Sequence, residues 1–189
     1  MSTETTTAVT TRPQALPADT FGADMRLTSL RSAVEFAEIV AKSGLAPKGM
    51  NPEAIVIAMQ MGYEVGLSPL QAIQNIASIN GRPAIWGDAC LALIRSSGNL
   101  ESITEVEVGK PGADDWGYTC TVKRRGYSEA SETFTVADAK RAGLWGKPGP
   151  WTQYPRRMLR FRARGFILRD QFGDVLKGLR TAEEALDEP

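Results

Sequence analysis

Between Ile103 and Val136 the hydrophobic period changes. On either side of that block, apolar residues recur at the three- and four-residue spacing of amphipathic helices. Within it, Ile103, Val106 and Val108, then Tyr118, Cys120 and Val122, then Phe134 and Val136 read as strands rich in branched and aromatic side chains. Polar or glycine-bearing turns at 109–117 and Arg125-Gly126 separate them. A contiguous run of strands with helices before and after predicts an α+β protein. Its core is central antiparallel strands and hairpins in a single compact domain. Upstream, helices are predicted near Ser29–Ser43 with Gly44 as the stop, from Pro52 to about Gly66 behind an Asn51 cap, and from Ser68-Pro69-Leu70-Gln71, a capping-box pattern. Asn80-Gly81 between Ile76–Ile79 and Pro83–Trp86 predicts a two-residue hairpin, with a helix from Ala89 to Arg95 after it.

Residues 1–24 are rich in Thr, Ala and Pro without periodicity and are expected to form a disordered N-terminal arm. Residues 25–180 make the core domain, and 181–189, with four acids, an acidic C-terminal tail. The chain has no histidine, which removes most general-base, triad and zinc arrangements. No phosphate-binding glycine loop is present. Cys90 and Cys120 lack metal-like spacing and read as reduced core residues of a cytoplasmic protein. No apolar run approaches the ~20 residues of a membrane span, so no membrane partner is expected. Nothing calls for a catalytic residue, a metal or a cofactor.

The charge distribution is more telling than its zero sum. Lys140 to Arg180 carries eleven basic residues against Asp170 and Asp174, whereas residues 1–139 carry eleven basic against sixteen acidic. Six arginines fall between Arg156 and Arg169 with no acid among them. Pro155 suits the first turn of a helix through this run. At about 100° per residue, Arg156, Arg157, Arg160 and Arg164 share an arc of about 100°, while Arg162 and Arg169 lie together on another side. A row of guanidinium forks matches phosphate geometry and never loses its charge. Pairing with acids of a neighbouring protomer is the structural alternative for any one of them.

Gly149-Pro150-Trp151, Tyr154-Pro155-Arg156-Arg157-Met158-Leu159-Arg160, Arg162-Ala163, and Arg169 ahead of Phe172-Gly173 resemble the RecT/Bet family of phage single-strand annealing proteins. Gly66-Leu67-Ser68-Pro69 is similar to an upstream element of that family, and the resemblance runs collinearly from about Ser29 to Leu179. Tyr154 stands where a histidine is common. The resemblance implies a non-enzymatic, ATP-independent protein of phage-type recombination that binds single-stranded DNA, pairs complementary strands and retains the annealed duplex. It also implies a homo-oligomer, ring or helical filament, working beside a phage exonuclease.

Matching the family pattern, Arg156, Arg162 and Arg169 are the first candidates for DNA contact, followed by Arg157, Arg160 and Arg164. Arg82 and the hairpin-tip residues Lys123, Arg124 and Arg125 are candidates for lining the same groove. Trp151 and Tyr154 are candidates for stacking a base, although a Trp in a Gly/Pro-rich loop more often packs over a core. Two other functions compete. One is a helix-turn-helix regulator of duplex DNA using Pro52–Gly66 and Pro69–Ile76, whose second helix has amides but no basic residue. The other is a phage nuclease using Asp88, Glu105 or Asp114.

Overall fold

The computed structural model describes Leu27 and residues 29–187; the expected arm, 1–24, lies outside the described residues. Helix α1 (Leu30–Ser43) starts at Ser29, whose hydroxyl accepts the Ser32 amide at 3.1 Å. It stops where Gly44 turns left-handed at φ 76°. Asn51 accepts the Ala54 amide at 2.8 Å and so satisfies an orphan donor at the start of α2 (Pro52–Glu64). The Gln71 side chain reaches back to the Ser68 amide at 3.1 Å to open α3 (Pro69–Asn75). α2 and α3 meet at Gly62, where an added Cβ would lie 2.2 Å from Ala72 Cβ. Ala37, Val40, Ile55, Met59 and Ile73 close a small core among these three helices.

Strands β1 (Ile76–Ile79) and β2 (Arg82–Ile85) pair antiparallel. Asn80 and Gly81 between them have φ of 52° and 73°, the two positive values a type I′ turn demands. Helix α4 (Gly87–Ser96) leads to an antiparallel meander of β3 (Leu100–Val108), β4 (Gly117–Arg124) and β5 (Glu129–Thr135). Thr135 then caps α5 (Val136–Arg141), and the short α6 (Pro150–Gln153) precedes the arginine helix, α7 (Pro155–Gln171). α7 lies across β4 and β5. Its Met158, Leu159, Ala163, Ile167 and Leu168 enter the main core beside Tyr118, Cys120 and Val122 of β4 and Cys90 and Ile94 of α4. Leu159 and Leu168 are fully buried, each stabilising the fold by about 1.5–3 kcal/mol through apolar area alone. Burial pushes the thiols of Cys90 and Cys120 up to about 12, so both are inert packing residues.

The fold class is α+β, with helices before and after the antiparallel strands. The strands form two three-stranded sheets, and the sheet of β1 and β2 gains a strand that the sequence does not predict. After α8 (Gly173–Leu176), β6 (Arg180–Thr181) joins β2 in parallel, pairing Ala84 with Arg180 and Ile85 with Thr181. Helix α9 (Ala182–Ala185) follows. Residues 181–187, expected as part of an acidic tail, thus pack against the rest of the chain. Thr181, Ala182 and Glu184 are buried, and Asp187 is tied inward. Glu184 and Asp187 serve as counter-charges for Arg169 and Arg162, while Glu183 accepts from the Gly87 amide.

Candidate nucleic-acid interface

Two local signals set the position of every arginine on α7. Tyr154, at φ −136° and ψ 52°, breaks the path between α6 and α7, and Pro155 fills the first turn, where a missing amide costs nothing. From there the helix runs unbroken through Gln171. Its two arginine faces then meet two different neighbourhoods.

Arg162 and Arg169 face the C-terminal segment. Arg162 Nη2 donates to Asp187 Oδ2 at 2.6 Å, with both side chains under 10% exposed, and Arg169 pairs with the buried Glu184. Arg164, on the other face, grips Glu105 with two bonds of 2.8 and 2.7 Å and lies 3.5 Å from Asp88. A guanidinium taken out of water must find a carboxylate, and Arg162 and Arg164 find one within the same chain; Arg169, a third exposed, finds one as well. In the free chain Arg162 is therefore no solvent-facing fork, and Arg169 stays partly exposed but already paired. Arg164 is equally committed to the interior. The pairing acids belong neither to solvent nor to a neighbouring protomer.

The first two turns of α7 differ. Tyr118, Gln153, Tyr154, Pro155, Arg156, Arg157 and Arg160 line an open cleft of about 570 Å³. Tyr154 is 62% exposed at its rim. Arg156 donates from Nε to the Tyr118 hydroxyl at 2.7 Å and from Nη2 to Glu107 Oε2 at 2.6 Å, yet two thirds of its side chain remains in solvent. Arg157 reaches Asp88 at 3.1 Å and stacks over the Phe161 ring at 4.4 Å. Arg160 has no carboxylate partner among the described residues, and its Nε is buried without an acceptor. Phe161 lies under it as well, 6.0 Å away. An aromatic face holds these cations without neutralising them. The cleft therefore gathers three guanidinium groups, one unpaired, beside an exposed aromatic ring.

The remaining candidates are scattered. Trp151 is buried, packs near Phe134 and donates to Asp187 Oδ2 at 2.8 Å, so base stacking by it would require unfolding the core. Lys123 is bound to Glu101 at 2.7 Å. Arg124 forms two 2.6 Å bonds to Asp174 and sits over Tyr127 and Phe172. Arg124 is six residues from Tyr118 on β4, about 20 Å along the strand. The hairpin tip, with the exposed Arg125, therefore lies away from the cleft, and neither it nor the exposed Arg82 contributes to the lining.

The amides of α3 are likewise engaged. Gln71 caps its own helix, Gln74 donates to the Leu45 carbonyl at 2.6 Å and Asn75 to the Gln71 carbonyl at 2.9 Å. Asp88, Glu105 and Asp114 each serve an ion pair, with Arg157 and Arg164, with Arg164, and with Lys140. No group of three His, Cys, Asp or Glu suited to a metal occurs among the described residues.

Tyr118 lines the cleft without being singled out by sequence reasoning, and Glu107, outside the lining, holds Arg156 at the cleft wall. The Glu107 carboxyl is held below its ordinary range by the Trp116 indole N–H, which donates to Oε1 at 2.9 Å, and by Arg156. A faint signal exists: Glu105 and Glu107 alternate on one strand, and so present two carboxylates to one face. No family model matches the chain, and no curated protein matches its sequence. Among the described residues, no helix is long and apolar enough to cross a membrane.

Proposed function

We propose that the chain binds single-stranded DNA through the cleft at the start of α7 and anneals complementary strands without nucleotide hydrolysis. The observation that carries this reading is Arg160. It is an uncompensated guanidinium beside Arg156, Arg157 and the open ring of Tyr154. Guanidinium groups at the mouth of a cleft neutralise sugar–phosphate charge, and an aromatic ring stacks any base, worth about 1–3 kcal/mol each. Neither element reads sequence, which suits a protein that must leave Watson–Crick edges free to pair. The Tyr-Pro-Arg-Arg-Met-Leu-Arg run that builds the cleft is also the segment resembling phage annealing proteins. A cleft of this size spans a few nucleotides, so the reading extends to a homo-oligomer that aligns many copies along one strand. On the same resemblance, the protein works beside a phage exonuclease.

The test mixes two complementary dye-labelled oligonucleotides with protein in the absence of nucleotide. The protein is expected to accelerate pairing without changing strand length. Binding should weaken steeply with salt, each neutralised phosphate adding about −0.7 to the log–log slope. Arg160→Ala should slow annealing and weaken binding on all sequences alike. Unchanged affinity in that variant, or preference for one duplex sequence, would remove the cleft from consideration.

A further inference from the structure

Two of the three arginines in the cleft already hold anions. Glu107 Oε2 takes Arg156 at 2.6 Å, and Asp88 Oδ2 takes Arg157 at 3.1 Å. These pairs differ from those deeper on α7. The Arg162–Asp187 pair is closed off from water, whereas the Arg156 and Asp88 side chains are 67% and 74% exposed. An exposed pair is worth only about 0–1 kcal/mol, little enough for a phosphate to displace. We propose that Glu107 and Asp88 are built-in competitors of the ligand phosphates. They occupy Arg156 and Arg157 in the free protein and yield them when a strand enters. The inference rests on the cleft being the single-strand site.

The geometry makes Glu107 the stronger competitor. Its other oxygen is anchored by the Trp116 indole N–H, so the carboxylate stays in place when Arg156 swings away. Arg156 keeps a second acceptor in the Tyr118 hydroxyl, which steers the guanidinium at the wall of the cleft. Asp88 is shared between Arg157 and the buried Arg164, and Glu105 continues to satisfy Arg164 after Arg157 departs. No charge is therefore stranded in the interior when the strand binds. Arg160 has no competitor among the described residues and makes the first phosphate contact; Arg156 and Arg157 join by exchange. Such exchange lowers affinity for short, weakly held fragments and so favours strands long enough to engage several copies of the cleft.

Neutralising the competitors should tighten binding. Glu107→Gln and Asp88→Asn are each expected to increase affinity for an oligothymidylate several-fold. The salt slope should stay that of the wild type, because the same number of phosphates is contacted in the complex. Glu53→Gln, which removes the same charge from the exposed first turn of α2, serves as the control and should change affinity less. Asp88→Asn alters only an exposed side chain, so it remains informative even where loss of the Trp116 anchor impairs folding of Glu107→Gln. Equal or weaker binding by a folded Asp88→Asn protein, or equal tightening by Glu53→Gln, would overturn the competition. Wild-type protein that binds no oligothymidylate at low salt, with both variants equally silent, would overturn the single-strand reading itself.

Discussion

Arg162 and Arg160 stand two residues apart on one helix and carry opposite consequences. Arg162 is sealed against Asp187, and removing it would leave that buried carboxylate with only the Trp151 indole N–H and the Lys147 ammonium. Arg162→Ala is therefore expected to cost about 1–3 kcal/mol, read as a lowered urea midpoint, with DNA binding lost only through unfolding. Arg160→Ala, which leaves no carboxylate behind, should lower the midpoint by less than Arg162→Ala while it weakens binding. Equal stability of the two variants would contradict the assignment. The seven-residue spacing of Arg162 and Arg169 predicts a shared face, and they do share one. What the spacing could not say is that Asp187 and Glu184 wait opposite that face.

At the scale of elements, the close approach of α2 and α3 depends on a missing side chain. With Ala72 Cβ only 2.2 Å from where a Cβ on Gly62 would lie, Gly62→Ala forces the helices apart. Overpacking of this kind costs about 1–3 kcal/mol, and thermal denaturation of the variant should show a lowered midpoint. The cleft lies on α7 and β4, remote from these two helices, so annealing by folded protein should be unaffected. Elements whose ends are set by local chemistry were legible in the sequence. Asn80-Gly81 gives its hairpin, Ser29 and Gly44 bound α1, and Pro155 starts α7. Strand β6 was not legible. Two residues have no period to detect, and their pairing with β2 joins positions almost a hundred residues apart.

For the molecule as a whole, acid should loosen the fold in a defined window. The carboxyls of Glu107, Asp138 and Asp174 are held below their ordinary 4.5, 3.8 and 3.8, chiefly by hydrogen bonds from Trp116, Thr135 and Arg124. Folded values below unfolded ones mean stability that is fully present above the unfolded pKa and lost as pH falls through the folded one. Urea midpoints are therefore expected to be level near neutrality and to decline below about pH 4.5. Glu183 acts in the opposite sense: burial raises its carboxyl, so its cost is present at neutral pH and fades on acidification. A midpoint that rises steadily down to pH 3 would contradict the dominance of the first three groups.

The sequence alone determined the α+β class, because hydrophobic period and turn chemistry are local properties that each segment carries with it. It also determined that one helix would carry six arginines on two faces, since helical geometry fixes their angles. Which of those arginines meet water was decided by tertiary structure. Burial is a property of neighbours, and the neighbours of Arg162, Arg164 and Arg169 arrive from a C-terminal segment and from β3, far away in the chain. The fold buries Arg162 and Arg164 in ion pairs and leaves Arg156 and Arg157 more than half exposed, because a charge taken out of water needs a partner.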